Sequence, residues 1–519
     1  MYKDGDKIFN HYTYCLCGDG CLEEGISQEA ISFAGLQKLN KLILMYDCND
    51  VTLDGPLSNS SVENTVGRFQ SAGWNVIKVE DGNSVEDIDK AITIAKQSQE
   101  KPTMIMVHTV IGYGSAKQGT HKVHGSPLGI EDGEHAKKVY GYNYGPFEVP
   151  EEVYYTFRES FVKRGQEAYA NFAKVWKDYK DENYDEALKI ESTVDNDVST
   201  LVYKDIPSYS EEFADSTRNC SGACLNILNK QVFNLIGGSA DVAGSVMTHI
   251  KDETDFTATN RSGRNVNWGI REFAMAAMQN GMLLHGGLRT YVGCFLVFAD
   301  YLKPAVRMAA LSGLPAIYLL SHDSIAVGED GPTHQPIEQL AMLRSIPNVN
   351  VIRPCDARET AAAWKVALES TRTPTCLILS RQKLPMIYST SYAGVAKGGY
   401  VVSPEKEKLD FTIIATGSEV SLAVEAQKKL LADGIDTRVV SMPSMNAFAQ
   451  QDESYIEKVL GAPYEKRIAV EMLSSFGWHK FAKNVMSIER FGASGPADDV
   501  IPSYGFTADN LASIVKKCL

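Results

Sequence analysis

The chain has 519 residues, 44% hydrophobic and 22% charged, the make-up of an ordinary globular protein. At ~150 residues per domain, this length accommodates about three domains. A net charge of −14 argues against a nucleic-acid footprint, no apolar run approaches a membrane span, and Met1-Tyr2-Lys3-Asp4-Gly5-Asp6 lacks a signal-peptide core. The chain is therefore expected to be cytoplasmic, with neither nucleic acid nor membrane as a partner. Its ten scattered cysteines fit reduced thiols. Cys15, Cys17 and Cys21 lie close together, but no second Cys/His cluster follows to complete a zinc set.

Taken in order, Tyr12 to Cys17 reads as a short buried strand delivering Gly18-Asp19-Gly20. The glycines allow a sharp turn and leave room for a ligand to approach. A helix follows, with Ile26, Ala30, Phe33, Ala34 and Leu36 on one face. The apolar run Leu42 to Tyr46 then delivers Asp47 and Asn49. Asp19 and Asn49 thus end successive strands, where open α/β sheets bind ligands. Both are hard oxygen donors suited to Mg2+ or Ca2+. A turn glycine pair and a solvated Asn are the plainer reading of the tripeptide alone.

A strand at Trp74 to Val79 precedes a capping box of Ser84 with Asp87, which opens a helix carrying Val85, Ile88, Ala91, Ile92 and Ala95 on its apolar face. The strand Thr103 to Val110 leads into the glycine-bearing loop Ile111 to Ser115 and on to His121 and His124. These histidines stand either in solvent or, lying just beyond a strand of the same sheet, against a ligand. From Pro150 to about Lys204, charged and aromatic residues read as a surface helix and linker. Strands resume at Val232 to Ile236, Pro315 to Leu320, Val349 to Arg353 and Thr375 to Leu379, with helices around Phe273 to Leu284 and Ala361 to Leu368. Asp410 to Ala415 then runs through Thr416-Gly417-Ser418, a strand-to-helix turn or an anion site, into another helix. The fold class is therefore α/β, with three consecutive domains of mainly parallel sheet flanked by helices, at 1–205, 206–390 and 395–519.

Four groups in the middle domain bear chemistry. Glu272 stands where an apolar helix begins. Phe295, Phe298 and Tyr301, spaced i, i+3 and i+6, are expected on one helical face. Ser321 to Pro336 gathers His322, Asp323, Glu329, Asp330 and His334 around Gly328 and Gly331. Arg381 ends a strand with a guanidinium, the group shaped for bidentate phosphate contact.

Together with Gly18 to Asn49, these groups resemble transketolase along nearly the whole chain. The most specific stretch is His322-Asp323-Ser324-Ile325-Ala326-Val327-Gly328-Glu329-Asp330-Gly331-Pro332-Thr333-His334-Gln335-Pro336. It is backed by Gly237-Gly238-Ser239-Ala240-Asp241, Gly269-Ile270-Arg271-Glu272, Val123-His124-Gly125 and Arg490-Phe491-Gly492-Ala493-Ser494-Gly495. The resemblance implies a thiamine diphosphate-binding fold in each of the first two domains, and Mg2+ for which Ca2+ or Mn2+ can substitute. It implies transfer of a two-carbon ketol unit, in the pentose phosphate pathway, from a ketose such as xylulose 5-phosphate to an aldose such as ribose 5-phosphate or erythrose 4-phosphate. It also implies a homodimer whose sites lie between subunits.

Residue by residue, the resemblance gives Gly18, Asp19, Gly20 and Asn49 to the diphosphate and metal, with Asp19, Asn49 and the Val51 carbonyl as metal ligands. Glu24 matches an interface glutamate linking the two sites, and Asp241 a residue acting on the thiazolium region across the dimer. Ile111 and His124 line the cofactor, His124 also reaching the substrate and the chemistry. Phe295, Phe298 and Tyr301 enclose the pyrimidine, which a protonated Glu272 hydrogen-bonds. Burial beside Phe295 and Phe298 would keep that acid neutral; a shift of ~3 units is worth about 4 kcal/mol. His322, catalytic, and Asp330 match residues binding substrate hydroxyls, and Arg218, Ser245, His334 and Arg381 those holding the sugar phosphate.

Transketolases carry a substantial segment before the Gly-Asp-Gly strand, whereas about ten residues precede Tyr12 here. Three expectations follow. The chain is an active transketolase or the larger part of one, with a segment supplied elsewhere or by a second chain; or a related thiamine enzyme such as dihydroxyacetone synthase; or a catalytically silent dimerising homologue.

Overall fold

The computed structural model describes residues 4–194 and 207–519. The chain divides into two compact units, Met1–Glu191 with Thr257–Arg261, and Ser192–Phe256 with Ser262–Leu519.

The first unit holds four parallel strands, β1 (Thr13–Gly18), β2 (Leu42–Cys48), β3 (Asn75–Val79) and β4 (Thr103–His108), in the order β1-β2-β4-β3. The helix Gly25–Leu36 packs Ile31 and Ala34 with Leu44, Tyr46 and Met104 of the central strands. The helix Val85–Lys96 packs Ala91 and Ala95 with Ile43 and Ile105. Residues alternate between faces along a strand, so β2 and β4 feed both layers. Ser84 caps the second of these helices, its Oγ accepting the Asp87 N–H at 3.3 Å and donating to the Asp87 carboxylate at 2.9 Å.

Two expectations change here. β1 is not buried: it pairs only with β2, and Tyr14, Cys15 and Leu16 are exposed because a strand at the edge of the described sheet has a neighbour on one side alone. On the helix Gly25–Leu36 the buried residues are Ile31, Phe33 and Ala34, while Leu36 points outward. The charged stretch beyond Pro150 forms the helices Glu151–Phe157, Arg164–Glu182 and Tyr184–Val194, largely exposed in the first two. Residues 195–206 of the expected linker lie outside the described residues.

The second unit contains a short antiparallel pair, β5 (Ala214–Asp215) with β12 (Leu384–Pro385), and a parallel six-stranded sheet. That sheet comprises β6 (Leu235–Ser239), β7 (Asn265–Asn267), β8 (Arg289–Phe295), β9 (Ile317–Ser321), β10 (Asn350–Ile352) and β11 (Thr375–Leu379), in the order β10-β11-β9-β8-β6-β7. After β12 (Leu384–Pro385) come β13 (Tyr400–Ser403), β14 (Phe411–Ala415), β15 (Thr437–Ser441), β16 (Arg467–Val470) and β17 (Asn484–Met486), ordered β13-β15-β14-β16-β17 with β13 antiparallel. β7 and β8 escape the sequence pattern because one is only three residues long and the other opens on a buried arginine, Arg289. One apolar core runs from Leu225, Tyr291 and Trp364 through Tyr400 to Ile413 and Leu511, joining the two sheets.

A buried ion cluster reinforces that junction. Arg353, fully enclosed at the end of β10, donates from Nε to Asp323 at 2.9 Å, and from Nη1 to Glu419 at 2.5 Å and to the Thr416 carbonyl at 3.1 Å. Glu471 lies 3.9 Å from the same guanidinium and is held by Arg344 through two bonds of 2.9 Å. Gly417 sits at φ 57°, and a Cβ there would stand 2.7 Å from the Arg353 guanidinium carbon. Thr416-Gly417-Ser418 is thus a strand-to-helix turn folded against a cation of the protein itself.

Candidate active site

In the first unit, β1 and β2 are register partners through Gly18 and Asp47, so Asp19 and Asn49 emerge side by side. Asp19 is buried; the Tyr46 hydroxyl donates to its Oδ1 and the Asn49 N–H to its Oδ2 at 3.2 Å. Asn49 Oδ1 in turn accepts the Val51 N–H at 3.1 Å. Burial raises the Asp19 carboxyl above its usual range, opposed by the bonds from Tyr46 and Asn49. Asp19, Cys48 and Asp50 offer ligand atoms within 4.8 Å of one another. Burial also raises the Cys48 thiol, which makes its thiolate costly to form, and the other two ligand atoms are carboxylate oxygens. A desolvated carboxylate bonded only to neutral donors, beside further oxygens, fits a hard divalent cation.

Gly18 has φ −106° and Gly20 is not left-handed, so neither supplies the expected sharp turn. What both offer is room: a Cβ on either would meet nothing within 4 Å. Glu24 is exposed and precedes the helix Gly25–Leu36. The loop beyond β4 folds back on itself, since Gly119 N–H bonds to the Ile111 carbonyl at 2.8 Å and Gly112 abuts Val123. Ile111 and His124 therefore share one compact loop, and the His124 Nδ1 is buried with no hydrogen-bond partner.

In the second unit, the carboxyl ends of parallel strands deliver Asp241 after β6, Glu272 after β7, Phe295 at the end of β8, His322 after β9 and Arg381 after β11. The aromatic stripe is not one helical face. Phe295 ends a strand, Phe298 ends the tight turn Leu296–Phe298, and Tyr301 lies in the first turn of the helix Ala299–Leu311. The rings still form a chain: Phe295 to Phe298 and Phe298 to Tyr301 are each 6.1 Å between centroids. Phe295 stacks on His322 at 3.8 Å, and Phe298 meets His334 edge-on at 5.6 Å.

His322 is buried, adopts left-handed φ 65°, and shares a 2.8 Å hydrogen bond between Nδ1 and Ser321 Oγ. Burial first, then the charges of Arg218, Arg381 and His334, hold its pKa down at about 3, so the imidazole is neutral at physiological pH. Arg218 Nη1 donates to the Ser245 carbonyl at 2.8 Å, while its buried Nε has no partner. Burial and the facing Arg381 both lower the Arg218 pKa, the mark of two guanidiniums held near each other. Glu272 opens the helix Glu272–His285, and its charge helps to raise the buried Cys294 thiol next to Phe295. The glutamate is half-buried, not enclosed. Asp241 and Asp330 are exposed, and no hydrogen bond or ion pair among the described residues ties either to the cluster. Sequence reasoning missed Tyr46, Ser321 and Asp50; each adjoins a residue that it did single out, which was the available signal.

Three family profiles match in succession: "Transketolase, thiamine diphosphate binding domain" over residues 1–199, "Transketolase, pyrimidine binding domain" over 214–386, and "Transketolase-like TK C-terminal domain" over 398–507. A Bacillus subtilis transketolase is 50% identical over 527 residues, covering 99% of this chain and 78% of its own. A probable transketolase of Streptococcus pneumoniae is 48% identical, covering 99% and 79%. Among solved structures, a Leishmania mexicana transketolase superposes with TM-score 0.95 at 40% identity, covering 99% of this chain and 77% of its own. A Pichia stipitis transketolase in complex with sedoheptulose 7-phosphate gives 0.93 at 39%, covering 98% and 76%. These matches lend no support to a second chain supplying a further segment. Among the described residues, no helix is long and apolar enough to cross a membrane.

Proposed function

The chain belongs to the transketolase family, and from that premise we propose that it transfers a two-carbon ketol unit from a ketose phosphate to an aldose phosphate in the pentose phosphate pathway. The observation that carries the reading is the cluster of Arg218, Arg381 and His334 around a buried, neutral His322, with aromatic faces alongside. Two guanidiniums that raise each other's energy bind a phosphate dianion well, because the dianion relieves their repulsion and takes up the unpartnered Arg218 Nε. A sugar phosphate is bound by the Pichia relative, which favours the same substrate class here.

The oxygen set of the first unit and the aromatic faces of the second suit thiamine diphosphate and a divalent cation. When bound, the cofactor supplies an electron sink for carbon–carbon cleavage while the cation, Mg2+ or a substitute such as Ca2+, neutralises diphosphate charge. Asp19, Asn49 and the Val51 carbonyl hold the cation, and Gly18 and Gly20 leave the diphosphate space. Ile111 and His124 line the cofactor in the same unit, with the free His124 Nδ1 as a polar contact. Phe295, Phe298 and Tyr301 offer ring faces to the pyrimidine, and Glu272, kept protonated once the cofactor covers it, donates a hydrogen bond there. His322, its Nδ1 committed to Ser321, presents its other nitrogen to a substrate oxygen without carrying charge. Asp330 takes a sugar hydroxyl, Ser245 supports Arg218, and Glu24 and Asp241 act in a homodimer whose sites lie between subunits.

Thiamine diphosphate titration followed by near-ultraviolet circular dichroism, with a xylulose 5-phosphate/ribose 5-phosphate assay, tests this reading. Saturable binding with turnover is the expected result. Binding without turnover would instead indicate a related thiamine enzyme with another acceptor, and no binding a silent homologue.

A further inference from the structure

The segment Arg490-Phe491-Gly492-Ala493-Ser494-Gly495 stands out in the sequence, yet among the described residues no hydrogen bond or ring contact joins its side chains to His322, Arg218, Arg381 or His334. It lies between β17 and the helix Ala497–Ser503, in the C-terminal layer. Its neighbour is the loop Ser321 to Pro336, which carries His322, Asp330 and His334. That loop has little regular structure of its own: one tight helical stretch, Ile325–Asp330, broken at Gly328 (φ 85°) and followed by Gly331 at φ 74°. Left-handed glycines permit the path but do not hold it.

The holding contacts come partly from within the loop and partly from the Phe491–Gly495 segment. The buried Gln335 amide donates to the Ile325 and Gly328 carbonyls at 3.2 and 3.1 Å, closing the loop on itself, and to the Ala493 carbonyl at 3.0 Å. Ser494 Oγ donates to the Glu329 carbonyl at 2.6 Å, one residue from Asp330. The seat is close-fitting: a Cβ on Gly492 would stand 1.7 Å from Gln335 Oε1, and one on Gly331 2.8 Å from Ser494 Oγ. At the loop's other end, Asp323, which follows the strained His322, is tied to Arg353 and through it to Glu419 of the C-terminal layer.

We infer that the Phe491–Gly495 segment is a clamp that sets the geometry of the substrate loop, with Ser494 and Gln335 as positioning residues that act through Glu329–Asp330 without touching substrate. This rests on reading the His322 cluster as the sugar-phosphate site. The clamp fixes the hydroxyl-binding part of the loop, so its loss affects phosphorylated and unphosphorylated ketoses alike, whereas loss of a phosphate contact does not.

Ser494→Ala removes one hydrogen bond at an exposed edge and leaves packing intact. It is expected to raise KM about fivefold for both xylulose 5-phosphate and an unphosphorylated ketose, the size of one lost hydrogen bond, with kcat and thiamine diphosphate affinity within about twofold of the parent. Gly492→Ala, which drives a methyl into Gln335, is expected to raise both KM values further. An unchanged KM in both variants, with only a lower melting temperature in Gly492→Ala, overturns the clamp and leaves a packing role. Arg381→Ala, run in parallel, separates the two claims: if it leaves the KM for xylulose 5-phosphate unchanged, the phosphate-site reading fails, whatever Ser494→Ala does.

Discussion

Arg353→Met tests whether the junction between the two sheets of the second unit depends on charge. Arg353 is fully enclosed, and its partners Asp323, Glu419 and Glu471 are each 1% exposed. Methionine fills much of the stem's volume but leaves Asp323 and Glu419 without a cation, while Glu471 keeps its paired bonds to Arg344. Removing one partner of a buried pair costs ~3–5 kcal/mol, and two orphaned acids put this variant near the upper end. At about 2 °C per kcal/mol for a unit of this size, the melting temperature should fall by roughly 10 °C at pH 7. Burial already raises the Glu419 carboxyl with Arg353 present, and without it the group rises further above its unfolded value. An acid with a raised folded pKa carries its penalty above that pKa and sheds it as the pH falls, so the deficit should be smaller at pH 5 than at pH 7. Calorimetry at the two pH values, on Arg353→Met and on the triple variant with Asp323→Asn and Glu419→Gln, measures this. A deficit below about 2 °C at pH 7, or one equal at both pH values, refutes the reasoning.

Other outcomes follow from the candidate site. Arg381→Ala should raise KM for xylulose 5-phosphate at least about tenfold while sparing unphosphorylated substrates, as loss of a charged hydrogen bond predicts in steady-state assays. Asp19→Ala should abolish the Mg2+ dependence of thiamine diphosphate binding in circular dichroism titrations while leaving the melting temperature of the ligand-free protein near the parent's. His322 is held neutral at about 3 against an unfolded value of ~6.5, so its contribution to stability is complete above pH 6.5 and is lost as the pH falls toward 3. Thermal midpoints of the parent should therefore drop more steeply than those of His322→Asn across that window. Glu272→Ala should eliminate turnover with the fold retained, as judged by far-ultraviolet circular dichroism; retained turnover would remove Glu272 from the chemistry.

Much of this protein is written in short-range pattern. The alternation of apolar strands with amphipathic helices, the Ser84 cap and the placement of Asp19, Asn49, Glu272, His322 and Arg381 at strand ends or helix starts all depend on residues a few positions apart. Such features follow from backbone geometry, which repeats every two or 3.6 residues, and so they are visible in the chain itself. Tertiary structure alone decided that β1 is the edge of the described sheet, that Phe295, Phe298 and Tyr301 form a chain of rings across three elements, and that Asp323 turns toward Arg353. It alone joined Gln335 to Ala493 and Arg353 to Glu419. A charge or an amide in the sequence states only that burial requires a partner. Which partner it meets is settled when distant segments pack together, because only then are water and every competing group excluded.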